Sequence, residues 1–404
     1  MSEAGGSPLR TALAGLFAMA AAMGIGRFAL TPLLPFMIEG IPLSAAEGGL
    51  IASANYLGYL AGALAAMRGG TDHLRRGFFL ALAASAVTSA VMGLGDSLLF
   101  LSLVRFAGGV ASAYVLVFSS VLVLEQLARE GRPGLSAVHF AGVGLGIALS
   151  AAVVGTLSRL GVSWPGLWLS AGAVSALLCL LVGISLGAHR RAGGTRPPEG
   201  AASAARSVAT GQGGNGAMAA PAPSAALLRL SLAYGLFGVG YVVTATFLTT
   251  ILRTSEGLAA LEAPIWALVG LCAAISILVW NRVAARIGGG RAFALACVLE
   301  AVGVVASVTV SGVGGFVLAA ILFGSTFMGI TALGLLEARR LSAANPRKAL
   351  GVMTACFGAG QAIGPVLAGV GADLSGSFVL PSLAAAAALV LAAGLVGIGG
   401  EEVG

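Results

Sequence analysis

The chain has 404 residues, 58% of them apolar and 9% charged, with 62 glycines and a formal net charge of +7, and its mean hydropathy is +1.00. An ordinary soluble chain is about 45–50% apolar and about 25% charged, so a soluble globular protein is excluded. At about 20 residues per membrane-spanning helix, a dozen spans take roughly 240 residues and leave the rest for loops and tails.

Apolar runs fall at 11–37, 45–67, 77–95, 97–124, 134–157, 163–187, 226–252, 262–281, 292–311, 314–337, 349–371 and 374–398. They predict twelve transmembrane helices. The first run exceeds signal-peptide length and no small-residue cleavage site with a soluble domain follows it, so this helix is expected to be retained. Twelve crossings put both termini on one face. Eighteen basic residues lie on that face, in clusters such as Arg75/Arg76, Arg282/Arg286/Arg291 and Arg339/Arg340. The opposite face carries two, Arg159 and Arg253, and the remaining two, Arg27 and Arg105, fall within spans. By the positive-inside rule the basic face is cytoplasmic, so both termini are expected in the cytoplasm. Clusters of this kind mark topology and give no nucleic-acid surface. A single lysine among 22 basic residues suits a GC-rich bacterial source, hence a bacterial inner membrane. All four cysteines (Cys179, Cys272, Cys297, Cys356) lie inside apolar runs with no metal-ligand spacing, and neither metal nor cofactor is expected.

Residues 188–224 are rich in Gly, Ala, Ser, Pro and Arg. They predict a flexible cytoplasmic linker between six-helix halves at 1–187 and 225–404. The halves are self-similar. Gly24-Ile25-Gly26 matches Gly238-Val239-Gly240 at an offset of 214, Leu124-Glu125 matches Leu336-Glu337 at 212, and Gly142-Val143-Gly144 matches Gly358-Ala359-Gly360 at 216. Near-equal offsets in the same order indicate a six-plus-six duplication.

With these features the chain resembles the major facilitator superfamily, and its YbfB/YjiJ-type branch in particular. The strings that carry the resemblance are Gly24-Ile25-Gly26-Arg27-Phe28-Ala29-Leu30-Thr31-Pro32 in span 1, Ser53-Ala54-Asn55-Tyr56-Leu57-Gly58-Tyr59 in span 2 and Tyr234-Gly235-Leu236-Phe237-Gly238-Val239-Gly240-Tyr241 in span 7. The superfamily signature between spans 2 and 3 is degenerate, Asp72-His73-Leu74-Arg75-Arg76, and span 5 has Gly142, Gly144 and Gly146 without the antiporter proline. Transport direction therefore stays open. The resemblance implies an all-α fold of two pseudo-symmetric six-helix bundles and a substrate path lined by spans 1, 4, 7 and 10. Spans 2, 5, 8 and 11 would gate it, and spans 3, 6, 9 and 12 would support it.

Ionisable residues inside spans are costly and normally face a cavity or a partner. Arg27 and Arg105 lie at similar depth in spans 1 and 4. Together they could clamp a carboxylate or phosphate, or else bind backbone carbonyls and brace the bundle. Asn55, Tyr56, Tyr59, Tyr241 and Gln361 are further candidates for the lining, with Tyr234, Thr244 and Trp266 behind them. His139 in span 5, whose side chain titrates near neutrality, and Glu300 in span 9 are the candidate proton carriers. Glu125 and Glu337 close spans 4 and 10 beside basic loops. Ion pairs of these acids with Arg75, Arg76, Arg286 and Arg291 would latch a gate in one conformation and break in another, and Asp72 is a further gating candidate.

A secondary transporter of a small organic solute is the leading reading, by alternating access and with protons as the coupling ion. Arginines where a carrier of cationic drugs would need a carboxylate favour an anionic or zwitterionic substrate. A multidrug efflux antiporter is the alternative, and a non-transporting sensor or scaffold a remote one. No phosphate-binding Gly-x-x-x-x-Gly-Lys loop and no paired catalytic set is present, so no enzyme is expected. The partners expected are the solute, the lipid bilayer and protons, with the chain acting as a monomer.

Overall fold

The computed structural model describes residues 7–68, 74–187, 225–342 and 345–397. The proposed linker at 188–224 and Asp72 lie outside the described residues. The described chain is helical, without strands. Twelve helices are long and apolar enough to cross a membrane: α1 (Pro8–Gly40), α2 (Ala45–Ala66), α3 (Leu74–Leu94), α4 (Leu98–Arg129), α5 (Ser136–Arg159), α6 (Trp164–Leu186), α7 (Ala225–Thr254), α8 (Ala259–Ile287), α9 (Gly289–Thr309), α10 (Val313–Leu341), α11 (Lys348–Ser375) and α12 (Val379–Gly397). They correspond one to one with the apolar runs.

Local chemistry sets several boundaries. Ser44 and Glu47 form a capping box ahead of α2: the Ser44 Oγ accepts from the Glu47 amide at 3.2 Å, and the Glu47 carboxylate accepts from the Ser44 amide at 2.8 Å. Ser97 caps α4 through the Phe100 amide at 3.3 Å. Gly376, at φ 71°, ends α11 in the left-handed conformation that a β-carbon disfavours.

The helices form two six-helix bundles. Helix α1 meets α7, α2 meets α11 and α5 meets α8 across the seam between them. Leucines such as Leu80, Leu103, Leu180 and Leu391 point outward, as a lipid-facing surface requires. The central helices are sheathed instead, with every residue buried from Ala18 to Pro35 in α1 and from Gly240 to Leu252 in α7. At the seam, α5 and α8 touch backbone to backbone. A β-carbon on Gly144 would run into the Gly270 carbonyl and the Ala274 nitrogen, and one on Gly49 would run into the Pro365 carbonyl across the α2–α11 contact. Small residues thus let the bundles close on each other.

Both ends of the described chain lie on one face, termed here the terminal face. The opposite, far face is sealed. There the Thr31 hydroxyl donates to the Ala245 carbonyl, and the Thr249 hydroxyl donates to the Thr31 carbonyl at 2.5 Å. Asp373 of α11 accepts from the first two amides of α2, Ala45 at 3.0 Å and Ala46 at 2.9 Å, where the positive end of the helix dipole favours a carboxylate. Arg253 of α7 pairs with Glu262 of α8 through Nε at 2.5 Å and Nη2 at 2.8 Å, and with Glu39 of α1 through Nη1 at 2.8 Å. The Phe36 ring lies 3.8 Å from its Cζ.

Candidate functional site

The site begins at a break in α1. Gly24 and Gly26 weaken helix propensity there, and Pro32 has no amide to donate back to Phe28. The helix passes into a π-helical turn at Ala20–Ile25 and then a non-helical turn, and restarts at Leu30 with Pro32 in its first turn. Its repeat counterpart α7 is continuous. Across the break the Thr31 amide bonds the Phe28 carbonyl at 3.3 Å and leaves the Arg27 carbonyl free of it.

Arg105 of α4 fills the gap. Its Nη1 donates to the Gly26 carbonyl at 2.9 Å and its Nη2 to the Arg27 carbonyl at 2.8 Å. Asn55 of α2 donates in turn to the Arg105 carbonyl at 2.9 Å. A buried carbonyl without a partner costs about 1–3 kcal/mol, so this guanidinium braces the broken helix. Of the two readings open to Arg105 from the sequence, its bonds are those of the brace, with only Nε left unpartnered. The reason is geometric: the break in α1 exposes carbonyls at the depth of Arg105.

Arg27 is held differently. It is 5% exposed, with its Cζ 4.2 Å from the ring centroid of Tyr59, 4.8 Å from that of Tyr56 and 5.8 Å from that of Phe28. These are cation–π contacts. Its Nε and Nη2 have no hydrogen-bond partner, an exception among buried polar groups.

The other bundle supplies an aromatic wall opposite. Tyr234, Phe237 and Tyr241 of α7, Phe323 and Phe327 of α10 and Phe357 of α11 stack with consecutive centroids 4.7–6.1 Å apart. Gln361 Nε2 donates to the Tyr241 hydroxyl, and the Tyr234 hydroxyl donates to the Thr331 carbonyl at 3.2 Å. Phe28 and Phe327 meet edge-on at 5.9 Å and join the two walls. Arg27 and Tyr56 lie within electrostatic reach of Tyr241, and Tyr59 within reach of Tyr234. Tyr56, Tyr241 and Gln361 are buried, whereas Tyr59 and Phe357, one turn nearer the terminal face, are partly exposed. The cluster is thus less deeply covered toward that face. Tyr56, Tyr59, Tyr241 and Gln361 come together around Arg27, while Asn55 acts through Arg105.

The comparisons with known proteins agree. A family model described as "Uncharacterised MFS-type transporter YbfB" matches residues 19–397. The chain belongs to this family of major facilitator transporters. It is a multi-pass membrane protein and a transporter. A search of curated proteins finds no match. Solved structures share the fold: a variant of the nucleoside transporter NupG (TM-score 0.71, 15% identity, 96% of this chain and 99% of that one), an inward-facing, occupied bacterial homolog of the human lysosomal transporter Spinster (0.67, 15%, 98% and 97%) and the human organic anion transporter MFSD10 (0.63, 17%, 97% and 100%).

The remaining candidates of this YbfB-type transporter lie away from the pocket. His139 is fully buried inside the first bundle, edge-on to Phe140 at 4.8 Å, with neither ring nitrogen hydrogen-bonded. Its imidazole fills the space left by Gly15 of α1, where a β-carbon would strike Nδ1. Glu300 sits between α9 and α10 and accepts from the Thr326 hydroxyl at 2.8 Å, its other oxygen unpartnered. Thr244 and Trp266 are buried.

Among the described residues, which do not include Asp72, the acids expected to gate the terminal face pair along their own helices. Glu125 pairs with Arg129 one turn along its own helix at 3.1 Å, and Glu337 with Arg340 at 3.6 Å. Arg75 donates to the Leu186 carbonyl at 3.2 Å, and Arg76 and Arg286 are exposed. At the far face, inter-helix polar contacts form around Arg253 and Asp373. The sequence reading missed that cluster, although Arg253 was flagged there as one of two basic residues on the wrong side of the charge asymmetry.

Proposed function

We propose that this protein is a secondary transporter that moves a small organic anion by alternating access across a bacterial inner membrane. Both termini are cytoplasmic in this reading, so the conformation described is the inward-facing one. The observation that carries it is Arg27: a buried cation between the two bundles, less deeply covered toward the terminal face, with two N–H groups unpaired. An anion arriving there gains charge-assisted hydrogen bonds that nothing in the protein supplies. A cationic drug would meet like charge, because Arg27 and Arg105 are the ionic groups at this depth, which disfavours the efflux reading.

Protons are the proposed coupling ion and His139 the proposed carrier. Its buried imidazole packs directly against α1, the helix that holds Arg27, while Glu300 lies on the supporting helix α9 and already has a hydroxyl partner on α10. Uptake of labelled organic anions into proteoliposomes tests the reading. Accumulation driven by a pH gradient in the wild type and absent in Arg27→Gln supports it. Equal uptake by both proteins, or transport of organic cations in place of anions, overturns it.

A further inference from the structure

Arg27 leaves a particular pair of donors unused. Nε–H and Nη2–H lie along one edge of a guanidinium, parallel and spaced to meet the two oxygens of a carboxylate. The chain itself shows this pairing at the far face, where Arg253 binds Glu262 through the same two atoms, Nε to Oε1 and Nη2 to Oε2. At Arg27 the rings of Tyr56 and Tyr59 attract the cation and their hydroxyls lie within hydrogen-bonding reach of the guanidinium, yet Nε and Nη2 keep no partner.

The wall opposite has a directional feature of its own. Neighbouring rings of the ladder are nearly parallel, with interplanar angles of 25° for Tyr234 and Phe357, 17° for Phe357 and Phe237, 9° for Phe357 and Tyr241, 1° for Tyr241 and Phe327 and 12° for Phe327 and Phe323. Tyr234 and Phe237 within the ladder, and Phe247 and Phe378 outside it, are tilted at 36° and 35°, while other pairs cross edge-on, at 64° for Phe78 and Phe79 and for Tyr114 and Phe118, and at 68° where Phe28 meets Phe327. Filling a hydrophobic space does not require ring planes to align, and T-shaped pairs pack as well as offset stacks. Six rings from three helices held near one orientation form a surface that a further flat ring extends.

We infer that the substrate is a planar aromatic carboxylate, its two oxygens on the Nε/Nη2 edge of Arg27 and its ring laid along the Tyr241–Phe327–Phe357 ladder. This inference rests on the anion-transport reading and narrows it. The carboxylate enters from the terminal face past Tyr59 and Phe357, and the Gln361 Oε1, which has no partner in the described structure, faces a polar ring substituent from the same side as Tyr241.

Calorimetric titration of the purified full-length chain with three probes tests this. Benzoate has the charge and the flat ring, cyclohexanecarboxylate the charge and similar size without planarity, and benzamide the ring without the charge. In the wild type, benzoate is expected to bind about tenfold tighter than benzamide, the weight of a charge-assisted hydrogen bond. It should also bind about fivefold tighter than cyclohexanecarboxylate, the weight of ring stacking. Arg27→Lys, which keeps the charge and loses the fork, should remove most of the first ratio. Tyr241→Leu should remove the second and spare the first. Melting curves of both variants establish that they are folded. Cyclohexanecarboxylate binding as tightly as benzoate overturns the aromatic substrate class and leaves the anion reading standing. Benzamide matching benzoate overturns both, whereas a first ratio unchanged in Arg27→Lys overturns the carboxylate fork and leaves the anion reading standing. Binding of none of the three overturns the inference, and anion uptake in proteoliposomes then decides the broader reading.

Discussion

Arg105 holds Arg27 by its backbone, with Nη2 2.8 Å from the Arg27 carbonyl oxygen. One buried arginine thus orients another without touching its side chain, and the two should respond to substitution in opposite ways.

Arg105→Ala leaves the Gly26 and Arg27 carbonyls buried and unpaired, at about 1–3 kcal/mol each. The protein should melt several degrees lower, and the transport KM should rise more than kcat falls, because the anchor is displaced and not removed. Arg105→Lys, with one point donor for two carbonyls, should fall between. Thermal unfolding in detergent with uptake kinetics checks this. A melting temperature unchanged in Arg105→Ala would refute the brace.

Arg27→Gln removes buried donors that have no partner, so the melting temperature should hold or rise while anion binding is lost. A variant that instead unfolds early would make Arg27 a structural residue.

At the far face the two carboxylates around Arg253 should contribute unequally. The Glu39 side chain is 61% exposed and Glu262 6%. Exposed pairs are worth about 0–1 kcal/mol and are screened by salt, whereas a bidentate, mostly buried pair is worth more. Glu39→Gln, which removes the pair that crosses between the bundles, should modestly favour opening at the far face; Glu262→Gln, whose partner lies in the same bundle, should lower the melting temperature with less effect on opening. Labelling of a cysteine placed at Thr249, in a background without the four native cysteines, by an impermeant maleimide reports this. Equal labelling in the two variants would contradict the ranking.

For energy coupling, His139→Gln should abolish accumulation driven by a pH gradient and spare exchange between equal pools. The double variant with Glu300→Gln is the decisive control, since uphill transport surviving there removes protons, or both residues, from the cycle.

Sidedness has its own check. Reporters fused after Gly213 and after Gly404 should both be cytoplasmic, and either one outside would reverse the orientation.

The helices were legible in the sequence because hydropathy contrast survives in every span, and Arg27 because a charge in an apolar run stands out. For Arg105 the sequence left clamp and brace both open, since carbonyl oxygens belong to every residue and only the break in α1 shows which of them lack a partner. The aromatic ladder was half visible. Tyr234, Phe237 and Tyr241 recur at helical spacing on α7, but Phe327 and Phe357 come from two other helices, and in a chain this apolar an isolated phenylalanine has no contrast. The Arg253 cluster was read as topology because its acids, Glu39 and Glu262, stand at the ends of different apolar runs, far apart in sequence.

The backbone contacts of Gly144 with Gly270 and of Gly49 with Pro365 bear on how fast such a machine can run. Interlocked side chains must be unmeshed before one helix can slip past another, and each lift out of its hole is a barrier. Shafts with no teeth at their points of contact have none to clear, so friction along these seams is low. The catch is at the rim, in Arg253, Asp373 and the Thr31 hydroxyl, where a handful of polar contacts must let go together. Under the proposed alternating access, the tempo of the cycle would be set by a few bonds at one end and could be retuned there by single substitutions, away from the Arg27 cluster.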